Sequence, residues 1–403
     1  MISVEEALAR ILGAFSPLPA ETVGLTEALG RVLAADVTAA LTQPPHDVSA
    51  MDGYAVRAAD LARVPIDLEV VAEIAAGGLR REPLEPGQAA RIFTGAPLPP
   101  GADAIVIQEN TEAEAGRVRI LKSAESGRYV RPAGLDFRAG ELGLAAGRRL
   151  TSRDIGLAAA MNRPWLKVRR RPRIAVLSTG DEVVLPGEAL GESQIIASNG
   201  LSLSAFVTAA GGQAIHLGVV TDDRARLDAA LDQAAGSDLL VTSGGASVGK
   251  HDLVQGALVD KGMNLDFWRI AMRPGKPLMF GRLGETPVLG LPGNPVSSLV
   301  CALLFLRPAI SALLGLAEDL PSETAVLGRD LGENDERQDY LRARLAPDAT
   351  GRLTALPFER QDSSMLATLS RADCLVVRAP HAPPAAAGDP VTILRLGGPL
   401  LGI

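Results

Sequence analysis

Three short apolar runs, Ile174 to Leu177, Leu239 to Val241 and Val288 to Leu291, have no polar residue at alternate positions. A strand with one face in water alternates, so a run without alternation predicts a strand covered by helices on both faces of a parallel α/β sheet. Each run leads into a loop of small residues: S-T-G-D-E at 178–182, S-G-G-A-S-V-G at 243–249 and P-G-N-P at 292–295. Open α/β sheets bind ligands beyond the carboxyl ends of their strands, so these loops are the first place to look for a site. Glycines let the backbone approach a ligand, free N–H groups and hydroxyls suit anions, and Asp181, Glu182 and Asp252 supply hard oxygen ligands. An anion cradle beside carboxylates predicts phosphate chemistry with a divalent metal.

The length, 403 residues, exceeds what one core organises and predicts two to four domains. Aromatic residues make up 3% and the net charge is -7, both of which argue against a base-stacking, backbone-neutralising nucleic-acid binder. Cys301 and Cys374 have no C-x-x-C spacing; two buried thiols in a reducing compartment are favoured over one disulfide. Glu5, Glu6 and Arg10 interrupt the apolar pattern of the N-terminus, which therefore does not read as a signal peptide. The most apolar stretch, Pro295 to Leu316, contains Arg307 and Pro308, so no membrane span is expected and a cytoplasmic enzyme is.

Along the chain, Ser3 with Glu6 reads as a capping box, and Ala7, Leu8, Ile11, Leu12 and Phe15 form one helical stripe that should lie against other helices. Thr26 to Leu33 is a second helical candidate. From Leu68 to about Gly147 the pattern changes to short strands (68–74, 88–93, 104–108, 118–121 and 128–131), and helix resumes at Thr151 to Met161 with Thr151 or Ser152 as cap. Helical segments on both sides suggest that this β-rich unit is an insertion. R-R-R-P-R at 169–173 reads as a linker with a solvated basic face. Residues 173–320 alternate strand and helix, with a helix capped by Ser198 or Asn199, a strand at 214–220 and a helix at 224–235. The tail carries separated strands at 340–345, 352–356, 375–378 and 390–396, which predict a small barrel or sandwich.

The loop T-G-D-E alone is ordinary turn chemistry. In company with Ser243, Gly244, Gly245, Ser247 and Gly249, and with Asp252 three residues beyond, it reads as an anion nest with a carboxylate. Pro292, Gly293, Asn294 and Pro295 open an apolar helix whose N-terminus attracts anions, with Ser297 and Ser298 nearby. R-P-G-K-P at 273–277 aims Arg273 and Lys276 from a stiff turn, with Arg269 on the preceding strand, which suits an oxyanion. S-A-M-D-G-Y-A at 49–55 and I-F-T-G-A-P at 92–97 read singly as turns. The histidines at 46, 216, 251 and 381 have no ligand spacing, and no Ser-His-Asp order is evident.

Taken together and in this order, S-A-M-D-G-Y-A, I-F-T-G-A-P, L-S-T-G-D-E, S-G-G-A-S-V-G-K-H-D, R-P-G-K-P and L-P-G-N-P resemble the MoeA-type molybdopterin molybdenumtransferase family, related to the E domain of gephyrin. The resemblance implies a multidomain α/β chain: a helical linker domain (1–25, 45–55 and 146–172), an inserted β-rich domain (26–44 and 56–145), a three-layer molybdopterin-binding α/β domain (173–320) and a C-terminal β-barrel domain (321–403). It implies a homodimer whose cleft is shared between subunits, and the last step of molybdenum cofactor assembly: adenylated molybdopterin and molybdate react with Mg²⁺, molybdenum ends on the dithiolene and AMP leaves. By the same resemblance Glu182, Asp222 and Asp252 hold the metal and pyrophosphate, with Asp52 and Thr94 contributed across the dimer. Thr179, Gly180, Asp181 and the two glycine-bearing loops would bind the pterin nucleotide; Arg269, Arg273, Lys276 and Ser298 would bind molybdate or phosphate. The adenylyltransferase that makes the substrate is an implied partner. Arg269 and Arg273 stand where many relatives carry Lys, which turns a point donor into a fork. Q-D-S-S-M-L at 361–366 matches a more glycine-rich pattern only in part. Two rivals use the same residues: a magnesium-dependent nucleotide pyrophosphatase, which would release AMP without molybdate, and a non-catalytic gephyrin-like scaffold, which would not need its carboxylates.

Overall fold

A computed structural model describes residues 1–221, 223–244, 253–317, 322–348 and 350–397. At its centre is a six-stranded sheet in the order Gln213–Val220, Arg173–Thr179, Leu239–Ser243, Thr286–Leu291, Met279–Leu283, Met263–Trp268. The first four strands are parallel, Met279–Leu283 runs against them, and Met263–Trp268, antiparallel to its neighbour, resumes their direction. The three apolar runs are the three middle parallel strands, and their burial explains the missing alternation. Ile174 and Val176 point into one core with Leu203, Val207, Val300 and Phe305, whereas Ala175 and Leu177 point into a second core with Leu227, Leu231 and Leu258. Burying each such aliphatic contributes roughly 1.5–3 kcal/mol relative to leaving it exposed. Strand Met279–Leu283, not foreseen from the sequence, forms a hairpin with Thr286–Leu291.

Helix Pro295–Cys301 runs on through a π-helical turn, Ala302–Leu306, into Arg307–Leu314. Pro308 has no N–H to give, and the widened turn just before it accommodates that loss. These 20 residues are long and apolar enough to cross a membrane, but 83% of the segment is buried inside the protein, so it is a core helix. Helix Val4–Leu12 sets Val4, Ala7 and Ile11 into the same core. Ser3 caps it by accepting the Glu6 N–H, but the Glu6 carboxylate pairs with Arg10 at 2.6 Å rather than closing the box.

The β-rich segment forms its own mixed sheet, in the order Ala104–Ile107, Gly53–Val56, Gln88–Ile92, Ile66–Ile74, Arg117–Ile120, Thr111–Glu114. The chain on either side of it is brought together by strands Ala20–Gly24 and Trp165–Arg169, which pair antiparallel. Helix Ser152–Ala160 starts from a complete capping box, Thr151 with Asp154. Two expectations fail here. Thr26 to Leu33 yields only a 3₁₀ turn, Leu25–Glu27, because Gly30 takes φ +73° in mid-stretch. Nor is R-R-R-P-R a solvated linker: Arg169 ends a strand and donates to the Leu18 carbonyl at 3.0 Å, and Arg170 grips Asp238 with two bonds of 2.7 and 3.0 Å.

In the C-terminal part, strands Gln338–Pro347, Leu353–Pro357, Ser322–Leu327, Pro390–Arg395 and Cys374–Arg378 close into a five-stranded barrel. It is tied to the α/β domain by a parallel pairing of Met272–Arg273 with Gln338 and Asp339. Cys301 and Cys374 are buried and free, and burial pushes the Cys374 thiol up to about 12, so both are inert.

Candidate active site

Register fixes the site's first wall. Ser178 lies opposite Ser243, and Ser243 opposite Leu291, so three parallel strands end level and release their loops on one edge of the sheet. Gly244, at φ +91°, comes so close to the first strand that a Cβ would lie 2.7 Å from the Thr179 carbonyl oxygen. Asn199, the first residue of helix Asn199–Ala209, binds two of the loops together: its side-chain amide donates to Ser243 Oγ at 2.8 Å and to the Gly293 carbonyl at 2.7 Å. The sequence suggested a helix cap at this position, and the side chain is a cross-brace instead. The loops open on a cleft of about 1090 Å³.

The turn at 273–277 and the C-terminal domain line the rest of the cleft. Arg273 pairs with Asp339 and donates to Asp335 at 3.3 Å and to Asn334 Oδ1 at 3.4 Å, so it is a tie between domains. Lys276, exposed in the same turn, makes no ion pair among the described residues. Arg337 also reaches the cleft, and it holds the Asp335 carboxyl down at about 2. The 361–364 loop and Leu366 complete the lining. Asn294 Nδ2 donates to Ser363 Oγ at 2.7 Å and the Val296 N–H to the Ser363 carbonyl at 3.1 Å. Beneath it Arg342, 1% exposed, donates through Nε to Gln361 Oε1 at 3.1 Å and through Nη1 to the Met365 carbonyl at 3.3 Å. The Ser364 hydroxyl and N–H hold the Asp362 carboxyl below its usual range, with Arg342 adding to the pull. This loop lines the cleft without having been expected there from the sequence; its partial motif match was the only signal.

Thr179, Gly180, Glu182, Ser243, Gly244, Pro292, Gly293, Asn294, Pro295, Arg273 and Lys276 all line the cleft. Asp222, Gly245, Ser247, Gly249 and Asp252 lie outside the described residues. Three other expectations are corrected. Ser297 lines the cleft, whereas Ser298, one helical step round, is fully buried behind it. Arg269 follows the end of its strand at φ +86°, which turns it to stack 4.6 Å from the Trp268 ring and away from the lining. Asp181 sits exposed in the turn and is likewise not a lining residue. Asp52 and Thr94, read singly as turn residues, meet each other: Asp52 Oδ1 accepts the Thr94 N–H at 2.8 Å and hydroxyl at 2.9 Å, which holds the carboxyl below its usual range. They sit just beyond strands Gly53–Val56 and Gln88–Ile92 of the β-rich sheet, outside the cleft of their own chain.

No group of three carboxylate, imidazole or thiol side chains converges among the described residues. Glu182, the one member of the expected metal set among the described residues, lines the cleft. One carboxylate beside phosphoryl oxygens fits the way Mg²⁺ is held, with waters completing its octahedron.

Comparison with known proteins covers most of the length. Residues 2–162 match the MoeA N-terminal region (domain I and II), 175–312 a probable molybdopterin binding domain, and 324–396 the MoeA C-terminal region (domain IV). The chain is 44% identical to a molybdopterin molybdenumtransferase of Nostoc sp. over 80% of its own length and 76% of that protein. It is 33% identical to the Haemophilus influenzae protein of the same name, over 98% of each. A solved molybdopterin biosynthesis MoeA protein from Pyrococcus horikoshii matches at a TM-score of 0.85 and 32% identity, covering 99% of this chain and 100% of the other.

Proposed function

The chain belongs to the MoeA family of molybdopterin molybdenumtransferases, and from that membership we propose that it inserts molybdenum from molybdate into adenylated molybdopterin and releases AMP, the last step of molybdenum cofactor assembly. The observation that carries this reading is the cleft in which three strand-end loops, a lysine with no ion pair among the described residues and a loop of the C-terminal domain converge. The backbone at Thr179, Gly180 and Gly244 suits the phosphoryl groups of the pterin nucleotide. Lys276 suits molybdate: no carboxylate among the described residues pairs with it, and its ammonium rotates to any oxygen of a tetrahedral anion. Arg273, spent on Asp335 and Asp339, acts here by holding the turn that presents Lys276.

Glu182 would hold Mg²⁺, with Asp222 and Asp252 as the other candidate ligands. The ion, when bound, supplies positive charge against the pyrophosphate as AMP departs. Asp52 and Thr94 complete the site from a second subunit, which accounts for a preset, exposed acceptor pair outside its own chain's cleft. The two free thiols suit a reducing cytoplasm. The substrate is already adenylated, so the adenylyltransferase that makes it is the expected donor.

The test measures AMP release from adenylated molybdopterin with and without molybdate, in wild type and Lys276→Ala. Release should require molybdate, and removal of the fixed cation should cost about 100-fold in kcat/KM. Equal AMP release without molybdate would replace the transferase by a nucleotide pyrophosphatase.

A further inference from the structure

Arg91 has no part in the assignments above, yet it lies beside the Asp52–Thr94 pair. On strand Gln88–Ile92 it stands opposite Tyr54 of strand Gly53–Val56, and Phe93, two residues on, shares its face of the sheet. Its guanidinium carbon sits 5.1 Å from the centre of the Tyr54 ring and 5.0 Å from that of Phe93. Tyr54 is buried in the core of this sheet, so the ring beneath the arginine is itself fixed. The same guanidinium donates to the Gly53 carbonyl at 3.4 Å and to Gln108 Oε1 at 2.8 Å. A planar fork that stacks on rings and donates in its own plane is held in one orientation.

Both bonds end on the chain around Asp52. Gly53 is the next residue, and Gln108 closes the circuit, because its N–H donates to the Asp52 carbonyl at 3.1 Å. Gly53 is pressed onto strand Ala104–Ile107: a Cβ there would lie 2.0 Å from the Val106 carbonyl oxygen. Two separate sets of contacts therefore meet at Asp52. Thr94 holds the carboxylate, while Arg91 and Gln108 hold the main chain from which it projects. The sheet does not need a cation here, since Gly53–Val56 and Gln88–Ile92 are already hydrogen-bonded neighbours. The hydrogen-bond and ring partners of Arg91 are neutral, so its charge still acts on Asp52: the Thr94 N–H and hydroxyl hold that carboxyl low, and Arg91 adds to the pull.

We propose that Arg91 is a positioning residue for the transfer reaction, fixing the main chain at Asp52 so that its carboxylate enters a second subunit's cleft in one direction. This rests on the reading that Asp52 serves that reaction, and deepens it. A reacting group misplaced by about 1 Å can lose most of its effect, so the contribution of Arg91 falls on turnover rather than on capture of molybdate.

Hydrogen exchange of the full-length protein, read by mass spectrometry on overlapping peptides of segments 49–56 and 104–110, is compared in wild type, Arg91→Gln and Arg91→Lys, with a melting curve for each. Arg91→Lys keeps the charge and loses the fork. Both variants should stay folded and exchange the Gln108 amide about tenfold faster. In molybdate-dependent AMP release both should lose about tenfold in kcat with the KM for molybdate unchanged, and neither substitution should cost anything further in an Asp52→Ala chain. Unchanged exchange, full activity in Arg91→Lys, an equal further loss in the Asp52→Ala chain, or unfolding of both variants would each overturn the proposal. Wild-type activity in Asp52→Ala, or no molybdate-dependent release from wild type, would instead remove the reading of Asp52, and the exchange rates would still decide whether Arg91 holds this turn.

Discussion

The cleft and the Asp52–Thr94 pair are built in opposite ways. The cleft draws on segments far apart in sequence, and side chains bind them across domains: Asn199 to Gly293, Asn294 to Ser363, Arg273 to Asp339. The Asp52–Thr94 pair is made within one sheet, where Gly53–Val56 and Gln88–Ile92 are hydrogen-bonded neighbours and each residue sits just beyond its strand. A site assembled from many segments depends on the relative placement of domains, whereas a pair made within one sheet keeps its geometry wherever that sheet is carried. The second kind suits a part that works in another subunit's cleft.

The largest expected effect tests that division of labour. Asp52→Ala and Glu182→Gln should each lose about 100-fold or more in activity if each removes a charged group from the proposed site. If Asp52 serves the partner's cleft, refolding the two variants together forms mixed dimers with one intact cleft each, and roughly a quarter of wild-type activity returns at equal amounts. No recovery in dimers shown by mass to be mixed would place Asp52 in the service of its own chain. Thr94→Val sharpens the same point on a smaller scale, since Asp52 keeps the Thr94 N–H and loses only the hydroxyl.

The same contrast governs what the sequence reveals. The strands at 174–177, 239–241 and 288–291 are legible because both of their faces are buried, and the loops after them because glycine and proline mark strand ends. The closure of the barrel from four recognised strands and one unrecognised, Ser322–Leu327, depends on pairings that no local pattern encodes. The role of Asn199 is hidden for the same reason: an Asn before a helix reads as a cap, and only the packed structure shows its amide reaching Ser243 and Gly293. Arg273 reads as a free cation because its carboxylate partners lie more than sixty residues away, in a different domain. Gln361 to Ser364 matches a motif only in part, and its place in the cleft lining shows only in the packed structure, where Arg342 pins Gln361 from below.

Arg273 gives the next test of the cross-domain construction. Asp339 is 3% exposed, and burial pushes its carboxyl above the usual range against the pull of Arg273. Arg273→Gln leaves that buried carboxylate without its cation, at an expected cost of about 1–2 kcal/mol at neutral pH after allowing for the arginine's partial exposure. A carboxyl with a raised folded-state pKa binds its proton more readily folded than unfolded, so the deficit should shrink as acid neutralises Asp339. Arg273→Lys should recover part of the stability. A direct molybdate-binding role for Arg273 predicts the reverse pattern, a raised KM for molybdate with no change in melting temperature.

The smallest expected effect isolates the outer member of the same network. Arg337 holds the Asp335 carboxyl at about 2, through its guanidinium and its N–H, and Arg273 adds to the attraction. A depressed folded-state pKa means that the unfolded chain takes up the proton first as pH falls. The stabilisation is therefore complete above the ordinary aspartate range, near pH 4, and is lost as pH approaches 2. Asp335→Asn removes the titrating group, so its melting temperature should lie slightly below wild type at pH 5 and converge with it toward pH 2. The exposed Asp52 gives the control, because its carboxyl is also held low but its partner, Thr94, lies in the same sheet. Asp52→Asn should leave the placement of the C-terminal domain unchanged, whereas Asp335→Asn should loosen it, measurable as faster proteolysis at the 361–366 loop. Equal protection of that loop in both variants would mean that Met272–Arg273 pairing alone holds the barrel against the cleft.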